Sequence, residues 1–376
     1  MNPTVPSTWS TRFAAERESL QRISRWRTPR TVTARDGVRD LVDGTWRLNF
    51  CSNDYLGLAQ HHGAVGQGGA GSAHLVCGHS IEHETLERKL CEWLDAPAAM
   101  LVGSGYLGNL AAITGLCGAQ DRCVQDKLNH ASLIDAAQLA RCDFKRYPHN
   151  DIAALQRQLD QGTTGNTLVA VDGVFSMDGD VANLHGIREV LGDALLFVDE
   201  AHSIGVLGGA QGQGIARDHA HLRLVTFGKA LGTYGAALLG DRELLDYLRQ
   251  KARPTIFTTA LPPGIAAQTA ANIDTIRQGE LVPRLMDNVV AFGNKAREHG
   301  LELIGGDSAI FAWVVGEDAT AVQMAEQLWN QGIWVSAIRP PTVPMGSARL
   351  RITMSAMHTT ADIDQLLRAL VALRDG

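Results

Sequence analysis

Lysine is scarce in this chain. Among its 376 residues, 34 are lysine or arginine, and only six of these are lysines: Lys89, Lys127, Lys145, Lys229, Lys251 and Lys295. A basic surplus is lacking as well. The 40 acidic residues outnumber the basic ones and leave a net charge of -6, which gives no footing for a nucleic-acid interface or an anionic membrane surface. No apolar run has bilayer length, so no membrane segment is expected. The arginines near the N-terminus are interrupted by Glu16 and Glu18, and no apolar signal core follows them, so a cytoplasmic protein is expected. Cysteine is sparse and unpaired in pattern. Cys51, Cys77, Cys91, Cys117, Cys123 and Cys142 form no C-x-x-C pair and no Cys/His spacing of a zinc site, which predicts free thiols in a reducing compartment and no metal. His61-His62 and the pair His219/His221 lack carboxylate or cysteine company and are expected at the surface. A small molecule is the expected partner.

What is present is an alternation of apolar strands and helices. Apolar spacing predicts a helix from Phe13 to about Trp26, ended by Pro29, then a strand at Trp46–Phe50, the polar turn Ser52-Asn53-Asp54 and a glycine-rich tract from Gly63 to Gly71. Strands are predicted at Ala98–Val102, Arg122–Lys127, Phe144–Tyr147, Thr167–Val171, Leu195–Val198, Leu222–Phe227 and Gly235–Leu239. The helices between them are Glu84–Leu94, Tyr106–Leu116, Ala131–Ala140, Ile152–Leu159 and Leu184–Leu191. Strands apolar on both faces and separated by helices imply an α/β fold with a large, mostly parallel sheet covered on both sides. After Asp241 come helices at Arg242–Arg253, Gly264–Ile276 and Val282–His299, strand Ile310–Val315, helix Val322–Gln331, strands Trp334–Ile338 and Arg349–Met354, and helix Ile363–Leu373. This predicts an N-terminal helix and arm over 1–47, a large α/β domain over 48–281 and a small α+β domain over 282–376.

Five of the six lysines lie in polar or amphipathic surroundings. Lys229 instead sits between the apolar strand Leu222–Phe227 and the small, apolar run Ala230–Leu239. An unpaired ammonium there costs several kcal/mol, and burial favours the neutral amine needed to form an imine; a snorkelling lysine is the plainer alternative. Strand Leu195–Val198 delivers Asp199 at its carboxyl end, with His202 three positions on, and ligands of open α/β sheets bind at that end. Asp199 suits a pyridine nitrogen that must stay protonated, or simply caps a turn. Gly103-Ser104-Gly105-Tyr106-Leu107-Gly108 follows a strand and opens a helix, a turn that binds either a dinucleotide or a lone phosphate through free backbone N–H groups. His130 at a helix start could stack on a planar ring or merely enter the helix. Asp199-Glu200-Ala201-His202 also spells a helicase box, but no phosphate loop of that class accompanies it and the charge is wrong.

Around Thr226-Phe227-Gly228-Lys229-Ala230-Leu231-Gly232 the chain resembles the α-oxoamine synthases, fold-type I pyridoxal-phosphate (PLP) enzymes that condense an amino acid with an acyl thioester. The likeness runs from about Leu48 to the C-terminus. It includes Asn49-Phe50-Cys51-Ser52-Asn53-Asp54-Tyr55-Leu56-Gly57-Leu58, Gly173-Val174-Phe175-Ser176-Met177-Asp178-Gly179-Asp180 and Asp199-Glu200-Ala201-His202. The resemblance implies that Lys229 carries PLP, Asp199 pairs with its pyridine nitrogen and His202 with its ring hydroxyl. It implies further that His130 stacks over the ring, Ser176 bonds near it, and Gly105, Tyr106 and Thr226 serve the phosphate. Thr258 and Thr259 would reach a phosphate in the partner subunit of a homodimer. Arg339 would hold the amino-acid carboxylate, with Asn53 nearby, and Arg25 or Arg27 the distal carboxylate of the acyl chain. The run from Ala337 to Pro344, Thr342 included, resembles the branch that joins L-alanine to a pimeloyl thioester of acyl carrier protein or CoA; glycine or serine with another acyl-CoA is the alternative. Between Leu58 and Gly71 the family usually has a full helix, and here only a short link remains.

Overall fold

The computed structural model describes residues 4–61 and 66–376. His62 and the first part of the glycine-rich tract, Gly63 to Val65, therefore lie outside the described residues. The centre of the fold is a seven-stranded sheet in the order Ala98–Val102, Ala236–Gly240, Leu222–Thr226, Leu195–Asp199, Thr167–Asp172, Arg122–Asp126 and Asp143–Tyr147. Strands Ala98–Val102, Arg122–Asp126 and Leu222–Thr226 are buried at every position, as strands covered on both faces are, and the polar residues among them, Arg122, Gln125, Asp126, Arg223 and Thr226, are buried with the rest.

All but one of these strands run the same way. Ala236–Gly240 pairs antiparallel with both of its neighbours, Ala236 facing Thr226 on one side and Val102 on the other. The reason lies in the nine residues before it. Phe227 N–H donates to Gly235 O (2.8 Å) and Thr233 N–H to Phe227 O (2.8 Å), so the chain doubles back at once instead of crossing over through a helix. Gly232 (φ +68°) is indispensable to this reversal, since a Cβ there would lie 2.4 Å from the backbone of Leu58 and Ala59. Lys229 is carried on this reversal.

The parallel strands end together on one edge, in Val102, Asp126, Asp172, Asp199 and Thr226. Asp172 and Asp199 are register partners at the tips of adjacent strands. Helix Gly105–Leu116 leaves this edge and packs on helix Ala131–Ala140 and on the sheet. It comes so close that a Cβ on Gly108 would lie 2.4 Å from Leu224 Cδ1.

The N-terminal segment departs from expectation. Its helix is Ser7–Arg22, ends at the left-handed Ser24 (φ 56°) well before Pro29, and buries no residue. An antiparallel meander follows, Val32–Asp36, Arg39–Val42 and Thr45–Asn49, of which only the last strand was expected. The first two are short and charged, and the first is exposed along most of its length, so they carry little apolar alternation to read. Thr45–Asn49 pairs in parallel with Ile333–Trp334. The single strand expected at Trp334–Ile338 is thus shared between two sheets, because Ser336–Ile338 pairs instead with Ala348–Thr353. That second sheet, Ile304–Gly305, Ile310–Gly316, Ala348–Thr353 and Ser336–Ile338, accompanies helices Leu281–Glu298, Asp318–Asn330 and Thr360–Asp375.

The loop after Asp199 is anchored by a buried ion pair. Arg223 Nε meets Glu200 Oε2 at 2.6 Å, with side-chain exposures of 5% and 0%. Glu200 Oε1 also accepts from the N–H groups of Ile215 (2.7 Å) and Ala216 (3.0 Å). Removing one partner of such a pair strands the other charge in the interior. Glu200→Ala is therefore expected to lower stability by about 3–5 kcal/mol in urea denaturation; a loss under about 1 kcal/mol would contradict this anchoring role.

Candidate active site

A cleft with about 550 Å³ of empty space opens at the carboxyl edge of the sheet. Its lining includes Gly105, Tyr106, His130, Ser176, Asp199, His202, Thr226 and Lys229, all expected from the sequence, together with Asn109, Ser132, Asp172 and Ala201, which were not.

Each side chain is delivered by a strand end or a helix start. Asp199 ends its strand; its Oδ2 accepts from Asn109 Nδ2 (2.7 Å) and its Oδ1 from Ala201 N–H (2.9 Å). These bonds fix the carboxylate in place while it lines the cleft. Asp172 holds the entry of the next helix, where its Oδ2 accepts from His130 N–H (2.7 Å). Burial raises the Asp172 carboxyl well above the usual carboxylate range, and the neighbouring Asp199 adds to this. The ring of His130 is fixed by a 2.7 Å contact between Nδ1 and Ser132 Oγ and stands edge-on to Tyr106; burial keeps its pKa below the ordinary value.

Lys229 Nζ lies 2.7 Å from His202 Nε2, and His202 Nδ1 lies 2.7 Å from the Tyr55 hydroxyl. Both Tyr55 and His202 are buried. Burial lowers the Lys229 amine to about 8; Asp199 and Asp172 oppose this, and Arg351 reinforces it. Burial also holds His202 well below its ordinary value, helped by the charges of Lys229 and Arg351. The cluster thus presents a nucleophilic amine beside a neutral imidazole.

The expected substrate groups are placed less simply. Arg339 does not line the cleft: its Nη1 donates to Ser24 O, and Arg27 Nη2 donates to the neighbouring Pro340 O (3.2 Å). Arg25 pairs with Asp318 at 2.6 Å, so the three arginines expected at substrate carboxylates gather where the N-terminal segment meets the C-terminal one. The guanidinium placed behind the cleft wall is Arg351, buried at 5% exposure, whose Nε donates to the carbonyl of the cleft-lining Ser176 (2.6 Å), whose Nη atoms donate to Asn53 Oδ1 (3.2 and 3.1 Å), and whose charge acts on Lys229 and His202. Thr342 is exposed. Thr259 is exposed and bridges to Ala73, and neither it nor Thr258 lines this chain's cleft.

The donor set fits PLP. An amine for the aldehyde, a carboxylate for the ring nitrogen and a helix start for the phosphate converge on one cleft. At that helix start Gly105 faces Thr226, so the backbone N–H groups and the threonine hydroxyl stand on one side of the cleft.

Comparison with known proteins agrees. The profile of the family described as aminotransferase class I and II matches residues 47–370. The 8-amino-7-oxononanoate synthase of Xanthomonas axonopodis pv. citri (strain 306) is 47% identical over 370 residues, covering 93% of this chain and 92% of that protein. That of Stenotrophomonas maltophilia (strain R551-3) is 46% identical, covering 97% and 94%. Among solved structures, a serine palmitoyltransferase of S. paucimobilis with a bound PLP–myriocin aldimine superposes with a TM-score of 0.90 at 26% identity over 99% of both chains. The 8-amino-7-oxononanoate synthase of Francisella tularensis gives 0.75 at 27% identity, covering 88% of this chain and 98% of the other. These findings define a fold-type I PLP-dependent enzyme, and PLP is its cofactor. The chain belongs to the aminotransferase class I and II family and, within it, to the 8-amino-7-oxononanoate synthases.

The depressed Lys229 carries a stability signature. Below about pH 8 the cofactor-free fold must hold this amine charged in its burial site, whereas the unfolded chain keeps the ordinary 10.5. The unfolded state binds more protons between these values, so stability rises with pH across that window. At pH 7 the full penalty is present, of order 3 kcal/mol. Cofactor-free Lys229→Met is expected to be the more stable protein at pH 7 in denaturant titrations, with the gap closing toward pH 10.5; a gap independent of pH would contradict the assignment.

Proposed function

We propose that this chain catalyses the decarboxylative condensation of L-alanine with a pimeloyl thioester, delivered by acyl carrier protein or CoA, giving 8-amino-7-oxononanoate. The observation that carries the reading is the partly buried Lys229 amine, its pKa lowered by desolvation, sharing one cleft with Asp199, beside the buried cation Arg351. Bound PLP supplies an electron sink for the pair left at the α-carbon when a proton or carbon dioxide departs.

The chain's own groups do the rest. Lys229 Nζ would hold the cofactor and is the base placed to take the substrate's α-proton and later to return one. Asp199, pinned by Asn109 and Ala201, keeps the pyridine nitrogen protonated. His202, oriented by Tyr55, donates toward the ring hydroxyl, and His130 covers the ring face. The open N-terminus of helix Gly105–Leu116, with Tyr106 and Thr226, receives the phosphate. Arg351, rather than Arg339, holds the alanine carboxylate, with Asn53 and the Ser176 carbonyl fixing the guanidinium in position. A bond forms between the alanine α-carbon and the thioester carbon, the thiol leaves, and the former alanine carboxylate departs as carbon dioxide.

Relatives at 47% identity named 8-amino-7-oxononanoate synthase support alanine over glycine or serine. The same reading includes a homodimer in which Thr258 and Thr259 serve the partner's phosphate; the exposed Leu75, Val76 and Phe257 near that segment support it. Six free cysteines accord with action in the cytoplasm.

With purified protein, L-alanine and pimeloyl-CoA, the amino ketone and carbon dioxide are expected in equal amounts. Glycine or serine in place of alanine should give a far smaller rate. Arg351→Ala should lose about 10- to 100-fold in kcat/KM for alanine, the worth of hydrogen bonds to a charged group, while still binding PLP. Equal turnover with glycine, or an Arg351→Ala enzyme with unchanged alanine kinetics, would contradict the reading.

A further inference from the structure

His74 and His79 line a second cavity that shares no lining residue with the cleft, and the buried His83 stands against both of them. His74, His79 and His83 each offer one ring nitrogen, all within 4.8 Å of one another, and no other such group of ligating side chains occurs among the described residues. A tetrahedral ion with metal–nitrogen bonds of about 2.0–2.1 Å holds its ligand atoms roughly 3.4 Å apart, so ring movements of about 1 Å bring the three nitrogens onto one ion. The H-x4-H-x3-H run, with Cys77 between its first two histidines, matches no Cys-pair zinc spacing and straddles a helix start, so no local pattern in the sequence marks it.

The protein by itself leaves this cluster poorly satisfied. His74 Nδ1 and His79 Nδ1 face each other at 2.9 Å, and the buried Nε2 of His74 has no hydrogen-bond partner. The three rings are stacked or edge-on, with centroids 4.9–5.4 Å apart. His83 Nε2 bonds to Leu261 O at 2.6 Å, the type of carbonyl contact that fixes the tautomer of a metal-bound imidazole and leaves Nδ1 with the lone pair. At present that Nδ1 accepts from Ser80 N–H (2.9 Å), which caps helix Ile81–Leu94. Glu84 and Glu87 line the same cavity and supply negative charge. Arg249, on the same wall, is offset by Asp246 at 2.7 Å and Glu87 at 3.7 Å.

We propose that His74, His79 and His83 form a binding site for a divalent transition-metal cation of the zinc type, separate from the PLP cleft and completed by water or Glu84. Imidazole donors select zinc, nickel, cobalt or copper over magnesium or calcium. The site ties the segment from His74 to His79 to helix Ile81–Leu94, so its occupation stiffens that segment, and none of its three histidines lines the PLP cleft.

The test uses tag-free holoenzyme and Zn2+ alone, by calorimetry and by counting bound metal after dialysis. One Zn2+ per chain is expected. His74→Ala and His79→Ala should each weaken binding at least about tenfold, and the double variant should retain none, while His185→Ala on a remote helix binds as the parent does. An unchanged PLP absorbance band in the double variant shows that the fold is intact. Co2+ on the unmutated holoenzyme gives a reading that needs no variant: an imidazole-ligated spectrum at one equivalent is expected. No uptake by the parent protein, a double variant that binds normally, or a Co2+ spectrum matching the hydrated ion would each overturn the site.

Discussion

The cleft depends on partly desolvating one primary amine without a carboxylate directly upon it. Lys229 contacts the neutral His202 at 2.7 Å, while Asp199 is turned to Asn109 and Ala201 and Asp172 to the backbone of His130. Were either carboxylate to pair tightly with the amine, its pKa would rise and its neutral, nucleophilic form would be scarcer near neutral pH. As built, burial wins and the amine falls to about 8, in reach of nucleophilic chemistry. Asp199 is thereby left for a group that enters the cleft.

The fold produces this separation by geometry more than by the identity of individual side chains. Parallel strands discharge their last residues at one edge, and the register that sets Asp172 beside Asp199 places two acids there together. The tight reversal after Phe227 brings Lys229 to the same edge from the neighbouring strand, and the adjacent Ala236–Gly240 strand runs antiparallel as its consequence. Glu200 and Arg223 brace the loop between Asp199 and His202 from below. The second sheet contributes Arg351, whose contacts with Asn53 and Ser176 close the third side. Residues far apart in the chain meet because each sits where an element begins or ends.

Much of this was readable in the sequence. Runs apolar on both faces identified the strands of the central sheet, and a lone lysine between two of them singled out Lys229. What escaped reading escaped for physical reasons. The endings Thr167-Leu168-Val169-Ala170-Val171-Asp172 and Leu195-Leu196-Phe197-Val198-Asp199 have the same form, apolar strand then aspartate, yet only the second was taken as a site residue. Arg349 and Arg351 alternate with Leu350 and Ile352, a pattern that normally marks the wet face of an antiparallel sheet. Here that face is covered and both arginines are buried. Arg339, in a proline-rich run that looked like a recognition loop, turned out to hold the N-terminal segment. Asn109 and Tyr55 act on Asp199 and His202 through tertiary contacts that no local pattern encodes. The first two strands of the N-terminal meander, Val32–Asp36 and Arg39–Val42, were hidden by their charge and, in the first, by exposure.

With only six lysines in the chain, the site of cofactor attachment can be read directly. Holoenzyme is reduced with borohydride, digested, and each lysine-containing peptide weighed. The account expects the added mass of one pyridoxyl phosphate on Lys229 and on no other lysine. Attachment at any of the other five, or no covalent adduct at all, would contradict it.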